Sequence, residues 1–293
     1  MMPVPGVRAL AIARPVWLGL STQPFSGHIV SCFERACNLM DGEGRIIALT
    51  GPSIGKGPFC IVLHAAGDLF DHLQLRQCAS IDAQNIVLGD CCIPLRDVPV
   101  WDATLPPIGP ALCLRPPLAA LLRPYTAWPQ LWSSTSVDVT TARLLAQGAR
   151  SLMAAVERRI GLAAAAQQLA GLGPGLTPAG DDYVLGVMAA LWLLGERDPL
   201  PAVAAACATR TTLLSGAFLR AAAQGQFMEG WHHLAHALDR QDEPGSRHAA
   251  GSRSERQRAE AHGAVRHIAA FGASSGRDSL AGFARVLLSH AYA

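Results

Sequence analysis

The sequence predicts an α+β protein, with a β-rich N-terminal domain (residues 1–100), a proline-rich connector (101–137) and a helical domain (138–293). Three observations predict it. Up to about residue 100, short apolar or β-branched runs are separated by turn-forming pieces. Nine prolines then fall between positions 94 and 129, a density that excludes a long helix and favours an extended connector wrapped on the surface. After Val137 the chain becomes alanine- and leucine-rich, as helices are.

In the first domain, strands are expected over 7–17, 27–32, 45–49, 59–63 and 85–88. Turns are expected at Asp41-Gly-Glu-Gly44 and Gly51-Pro-Ser-Ile-Gly55, and one helix over 68–79. The second domain is expected to hold helices over 140–170, 178–194, 201–208, 211–224, 227–238, 255–270 and 278–292. Residues 239–258 are polar and rich in Gly, Ser and Arg, and read as a mobile surface loop.

Composition narrows the function classes. Half the 293 residues are hydrophobic and 16% are charged, which suits a globular chain with a substantial core. A net charge of +2 with no basic stripe gives no electrostatic case for nucleic acid. No apolar run reaches the ~18 residues of a membrane span, and the N-terminus lacks a secretion signal, so a cytoplasmic protein is expected. Cys32, Cys37, Cys60, Cys78 and Cys113 lie in or near apolar segments without C-x-x-C spacing, and Cys91 and Cys92 are adjacent. They read as small buried hydrophobes in a reducing compartment.

The stretch that organises the second domain is Gly171-Leu-Gly-Pro-Gly-Leu-Thr-Pro-Ala-Gly-Asp-Asp182, leading into an apolar run to Leu194. Gly173, Gly175 and Gly180 let a ligand approach the main chain. Thr177 and Pro178 read as N-cap and first residue of a helix, whose free N–H groups form a ready anion site. The plainer alternative is a turn, a helix start and two acids complementing the dipole. The helix is apolar all round and should be buried, so Asp181 and Asp182 need partners. Neighbouring helical residues point about 100° apart, so at most one of the two faces the loop squarely.

A second glycine-serine loop, Phe271-Gly-Ala-Ser-Ser-Gly-Arg-Asp-Ser-Leu280, opens the last helix. Ser275 and Asp278 have capping-box spacing, with Asp in place of Glu. Aligning Gly180 with Gly276 also matches Asp182 with Asp278, Gly186 with Gly282 and Leu191 with Leu287. Gly186 and Gly282 each lie one turn past their aspartate, where glycine lets two backbones approach. The two helices are therefore expected to cross there and bring both loops to one site. Candidate ligand-binding residues are Gly173, Gly175, Thr177, Gly180, Asp181 and Asp182, with Ser274, Ser275, Gly276, Arg277 and Asp278.

Charge limits what such a site holds. A helix terminus offers an anion roughly 0.3–1 kcal/mol, and a carboxylate 4 Å away opposes it by about 4 kcal/mol at an effective dielectric near 20. Either Asp181 and Asp182 brace the loop through its N–H groups, which is the favoured reading, or they hold Mg²⁺ between acid and anion. Arg277 offers a third way to neutralise one of them.

Other constellations carry less. Gly51-Pro-Ser-Ile-Gly-Lys-Gly57 is one residue short of a P-loop and lacks its Ser or Thr. Ser53 and Lys56 remain candidates to face a ligand, against an ordinary hairpin turn. His232, His233 and His236 lack the Glu of a zinc-protease helix and read as helix surface. Thr209, Thr211, Thr212 and Ser215 introduce another helix and offer hydroxyls.

The loop at 171–182, Thr211-Thr-Leu-Leu-Ser215, Gly272-Ala-Ser-Ser-Gly-Arg-Asp278 and the N-terminal Gly27-His-Ile-Val-Ser-Cys-Phe-Glu-Arg-Ala-Cys-Asn38 occur together in one order. This combination resembles a bacterial family long catalogued as a domain of unknown function, which includes the H subunit of oxamate carbamoyltransferase of anaerobic allantoin degradation. The resemblance spans nearly the whole chain. It implies phosphorolysis of oxalurate to carbamoyl phosphate and oxamate, performed with two other subunits. The family's later loop usually reads Gly-His-Ser-Ser-Gly, and Ala273 stands here in place of the histidine. Three readings follow: a carbamoyltransferase-complex subunit holding a small anionic substrate or phosphate, a non-catalytic assembly subunit, or a free-standing Mg²⁺-dependent hydrolase using Asp181 or Asp182.

Overall fold

The computed structural model describes residues 6–64, 69–109, 116–128, 138–239 and 250–290. Its contacts divide the chain into two compact units, residues 1–103 and 104–293.

The first unit is a nine-stranded sheet in the order β8-β7-β6-β2-β3-β4-β5-β1-β9. Its strands are β1 (Arg8–Ala13), β2 (Phe25–Phe33), β3 (Ala36–Asp41), β4 (Ile46–Thr50), β5 (Cys60–His64), β6 (Cys78–Ile81), β7 (Asn85–Leu88), β8 (Cys91–Pro94) and β9 (Val100–Trp101). All neighbours run antiparallel except β4 with β5 and β1 with β9. The sheet curls, bringing β1 towards β8 from the far side of the order. Irregularities at Ala9/Ala11 and Ile29/Ser31 interrupt the register, and extra residues of this kind increase local twist. Phe25, Ile29, Leu39, Leu49, Ile61, Leu63, Ile81, Ile86 and Ile93 fill the interior.

Two expectations fail here. The run at 7–17 is not one strand. Arg14–Thr22 forms helix α1, with a proline in its first positions, where proline's fixed φ suits a helix start. No helix spans 68–79. Among its described residues, Phe70–His72 makes a short 3-10 turn and Cys78 already belongs to β6.

The second unit contains α2 (Pro116–Leu122), α3 (Val139–Arg158), α4 (Leu162–Gln167), α5 (Ala179–Leu194), α6 (Leu200–Ala208), α7 (Leu213–Ala223), α8 (Glu229–Asp239), α9 (Ala250–Ala269) and α10 (Ser275–His290). The helix expected over 140–170 is broken in two. Arg159 and Gly161 both adopt left-handed backbone, φ 56° and 73°, which ends α3 and resets the chain for α4. Of the connector, 110–115 and 129–137 lie outside the described residues. The described part includes α2; Leu105, Leu118, Leu122 and Trp128 anchor it in the helical core, while Pro106, Pro107, Arg123 and Pro124 are exposed. Of the polar stretch at 239–258, residues 240–249 lie outside the described residues, and the rest from Ala250 is the start of α9. No helix of the described residues is long and apolar enough to cross a membrane.

The core is built on α5, fifteen of whose sixteen residues are buried. It crosses α10 at the two expected glycines. A Cβ on Gly186 would sit 1.7 Å from the Ser279 carbonyl oxygen and 3.0 Å from the Phe283 nitrogen. A Cβ on Gly282 would sit 2.1 Å from the Tyr183 carbonyl oxygen and 3.1 Å from the Val187 nitrogen. The alignment that matches Gly186 with Gly282 also matches Tyr183 with Ser279 and Val187 with Phe283. The crossing is therefore reciprocal, the signature of a local pseudo-two-fold axis. Gly180 and Gly276 repeat the pattern one level up. A Cβ there would meet the carbonyls of Leu169 and Ile268, at 2.0 and 1.7 Å, each in the segment preceding its loop.

Backbone, not a flexible side chain, fills each of these spaces, so a methyl group has nowhere to go. Gly186→Ala or Gly282→Ala is expected to cost about 3 kcal/mol or more, read as a fall in the urea midpoint of unfolding. Gly263→Ala in α9, with open space around its Cβ, should instead stabilise by about 0.5–1 kcal/mol. Equal midpoints for Gly186→Ala and wild type would sink the crossing.

Candidate functional site

The first loop is held from three sides. The Gly171 N–H donates to Asp181 Oδ1 at 3.1 Å, and the Thr211 hydroxyl donates to Asp181 Oδ2. Ser215 also hydrogen-bonds Asp181. The Thr212 hydroxyl donates to the Leu176 carbonyl at 2.5 Å and accepts from the Ser215 N–H, capping α7. The Gly180 N–H donates to the Leu172 carbonyl, closing the loop on its own helix. Gly173, at φ 118°, lies against the Ala179 nitrogen, which a Cβ would approach to 2.8 Å.

The helix begins one residue later than the sequence suggests. Pro178 is the N-cap of α5, and its carbonyl accepts from the N–H groups of Asp181 and Asp182. Thr177 is thereby freed from capping, and its hydroxyl meets the Ser275 hydroxyl at 2.9 Å. That bond joins the two loops. The capping box expected of Ser275 and Asp278 does not form: the Ser274 carbonyl accepts from the N–H groups of Arg277 and Asp278, Ser275 is the first residue of α10, and its hydroxyl is turned towards Thr177 and Asp182. Asp278 Oδ1 accepts from the Trp128 indole N–H at 2.7 Å, and Trp128 stacks on Tyr183 with ring centroids 4.4 Å apart.

Asp182 sits at this junction, 6% exposed. The hydroxyls of Ser275 and Thr177 hydrogen-bond it, while its Oδ2 is buried with no hydrogen-bond partner. Its pKa lies well above the ordinary carboxyl value, chiefly because burial penalises the charge; Asp278 and Asp181 push the same way. Burial also raises Asp181, against the hydrogen bonds from Thr211, Gly171 and Ser215.

The outer face of the junction is main chain. Among the described residues, the N–H groups of Gly173, Gly175, Leu176, Gly272, Ala273 and Ser274 donate to no partner. All but Gly173 belong to exposed residues. Gly276 and Asp278 lie beneath, buried in the first turn of α10. Arg277 is exposed and lies close enough to Tyr125 to act on its hydroxyl, rather than covering the acids. The structure thus gathers Gly173, Gly175, Thr177, Gly180, Asp181, Asp182, Ser274, Ser275, Gly276 and Asp278 around one junction. Ser53 and Lys56 belong to the other unit, on the turn after β4, where Ser53 accepts from Arg35 at 3.4 Å. The His232 cluster lies on α8, with His233 and His236 exposed.

Asp181 and Asp182 each point to a different part of their own loop's frame, and the described residues contain no group of three or more His, Cys, Asp or Glu that could hold a metal ion. Sequence reasoning missed Trp128. A tryptophan inside a proline-rich stretch was the available signal, because large aromatics are highly buried on average.

Fold and junction together define a curled β-sheet unit followed by a helical unit built on paired glycine-loop–helix motifs. The chain belongs to the AllH family: the model described as oxamate carbamoyltransferase subunit AllH matches residues 169–287, and that of the AllH family N-terminal domain matches residues 8–100. The first match covers both loops, all of α5 and α10 up to Leu287, including both crossing glycines. No solved structure matches the chain.

Two substitutions separate the roles of the acids. Asp181→Ala leaves the Gly171 N–H without its acceptor and should cost about 1–3 kcal/mol in a denaturation titration, unrescued by Mg²⁺. Asp182, with its pKa raised on folding, stabilises fully below its unfolded value of 3.8 and loses that contribution as pH rises through the folded value. Asp182→Asn should therefore flatten the fall in unfolding midpoint from pH 4 upwards. An identical slope in both proteins would remove the buried, proton-holding carboxyl from the account.

Proposed function

We propose that the chain is a subunit of an oxamate carbamoyltransferase-like complex of allantoin breakdown, working in the cytoplasm with other subunits. In this reading its two glycine loops hold an oxyanion or phosphate of a small anionic substrate. The complex would cleave oxalurate with phosphate to carbamoyl phosphate and oxamate. The observation that carries the reading is the hydrogen bond between Thr177 and Ser275, which makes one junction of two loops whose outward N–H groups are free to donate. Carbamoyl transfer needs fixed donors aimed at phosphate and carbonyl oxygens, and amides held by a rigid frame cost no reorganisation when charge develops.

The acids are assigned to the frame. Asp181 ties Gly171 to Thr211, and Asp182 ties Thr177 to Ser275. A carboxyl whose charged form burial disfavours also weakens the repulsion that a nearby carboxylate would impose on an anion. A Mg²⁺ role for the pair lacks a third ligand among the described residues. One observation favours the second reading, a non-catalytic assembly subunit: the aspartates at the junction are buried, and none of them offers an exposed acid or base.

Calorimetric titration of the purified chain, alone and with the subunits that co-purify on co-expression with neighbouring genes, tests the proposal. Phosphate, carbamoyl phosphate and oxalurate are the probes. Binding of at least one is expected, and Thr177→Val, which removes the hydroxyl that bonds Ser275 and Asp182, should weaken it about tenfold. Failure of all three to bind in either form would leave the assembly reading in its place.

A further inference from the structure

The β2–β3 hairpin places two cysteines face to face. Cys32 and Cys37 are direct partners across the strands, one pair in from the Phe33–Ala36 pair that closes the turn. Directly opposite residues in an antiparallel ladder have Cα atoms about 4.5–5.5 Å apart, inside the range of about 4.4–6.8 Å that a disulfide spans. As direct partners they project from the same face of the sheet, with the two thiols close enough to interact. Both are free thiols; Cys37 is buried and Cys32 half-buried. The Cys32 Sγ donates to the Phe70 carbonyl at 3.4 Å.

From this juxtaposition we propose that Cys32 and Cys37 form an oxidation site, closed to a cross-strand disulfide by peroxide-class oxidants. Cys32, the accessible sulfur, attacks hydrogen peroxide. Its S–O bond forms as the O–O bond breaks, giving a sulfenic acid and one water. The Cys37 sulfur then attacks Cys32. The S–S bond forms, the S–O bond breaks, and the leaving hydroxide takes the Cys37 proton as a second water. Two thiols are oxidised and one peroxide is reduced. Burial holds the Cys37 thiol up at about 12, which makes it the resolving partner and leaves the first step to Cys32.

The pair has somewhere to send the signal. Between the cysteines lies the Glu34-Arg35 turn. The Arg35 carbonyl accepts from the Gly51 N–H at 2.9 Å, and its guanidinium donates to the Ser53 hydroxyl at 3.4 Å. A covalent clamp across Cys32 and Cys37 therefore stiffens the support of the loop at 51–57. No other cysteines occupy opposed positions in this way among the described residues; Cys91 and Cys92 are neighbours on β8, facing Leu88 and Val87, and their side chains leave opposite faces of the strand.

Trypsin makes the test direct. Cleavage after Arg35 separates the two cysteines into the peptides 9–35 and 36–45. The full chain is treated with hydrogen peroxide, alkylated and digested without reductant. The two peptides should then appear linked, with two of the eight thiols lost, and should separate with dithiothreitol. Cys32→Ser should abolish the link and leave Cys37 alkylated. Oxidation at Cys78 with Cys32 and Cys37 both still alkylatable would overturn the proposal, as would Cys32 stopping at sulfinic acid without a link. The wild-type digest decides alone if the variant fails to fold.

Discussion

The crossing of α5 and α10 is the constraint on which the helical unit depends. Two backbones packed at Gly186 and Gly282 leave no room for a side chain on either. This closeness fixes where the helices start as well as where they cross. Each begins about one and a half to two turns before its crossing glycine, so two helix N-termini arrive on the same side of the contact. Gly180 and Gly276 then press those first turns against the segments that precede them. The loops meet at Thr177 and Ser275 as a consequence of packing one level below.

That packing creates an electrostatic problem at its centre. Asp182 and Asp278 occupy equivalent positions of the two helices and are both buried, 6% and 2% exposed. Isolated charges there would be costly. The chain answers with donors from neighbouring elements: the Thr177 and Ser275 hydroxyls of the two loops for Asp182, and the Trp128 indole from the segment after α2 for Asp278. A raised Asp182 pKa is the remaining part of the answer, since burial shifts this carboxyl towards its uncharged form. The exposed surface above is left to neutral amides. Holding an anion there is compatible with acids below only because those acids are spent inside the frame.

How much of this the sequence carried follows from the range of each signal. The apolar circumference of 183–194 and the glycine spacing common to α5 and α10 are local patterns with one structural reading each, and both helices, their crossing and the joined loops were legible from them. Strands β3, β6 and β8 were not. Segments of four to six residues with little alternation give weak periodicity, and their pairing is set by partners distant in sequence. The break at Arg159 was hidden because a non-glycine residue took the left-handed conformation. Thr177 was read as a cap because hydroxyls usually cap; its real partner lies 98 residues away, a distance no local rule spans.

Ala273 bears on what the junction does by itself. The resemblance places a histidine at this position, on the exposed tip of the second loop and within two residues of Ser275. A histidine there would add a group able to move protons near neutral pH beside the free amides. With alanine, the junction keeps donors on the outside and a buried carboxyl of raised pKa within. Under the proposed function such a surface would bind and orient; it offers no exposed base. Under the proposed function, proton transfer to the leaving oxamate nitrogen would then fall to another subunit, and the exposed apolar residues Leu176 and Leu213 at the rim of the first loop lie where such a subunit would have to approach.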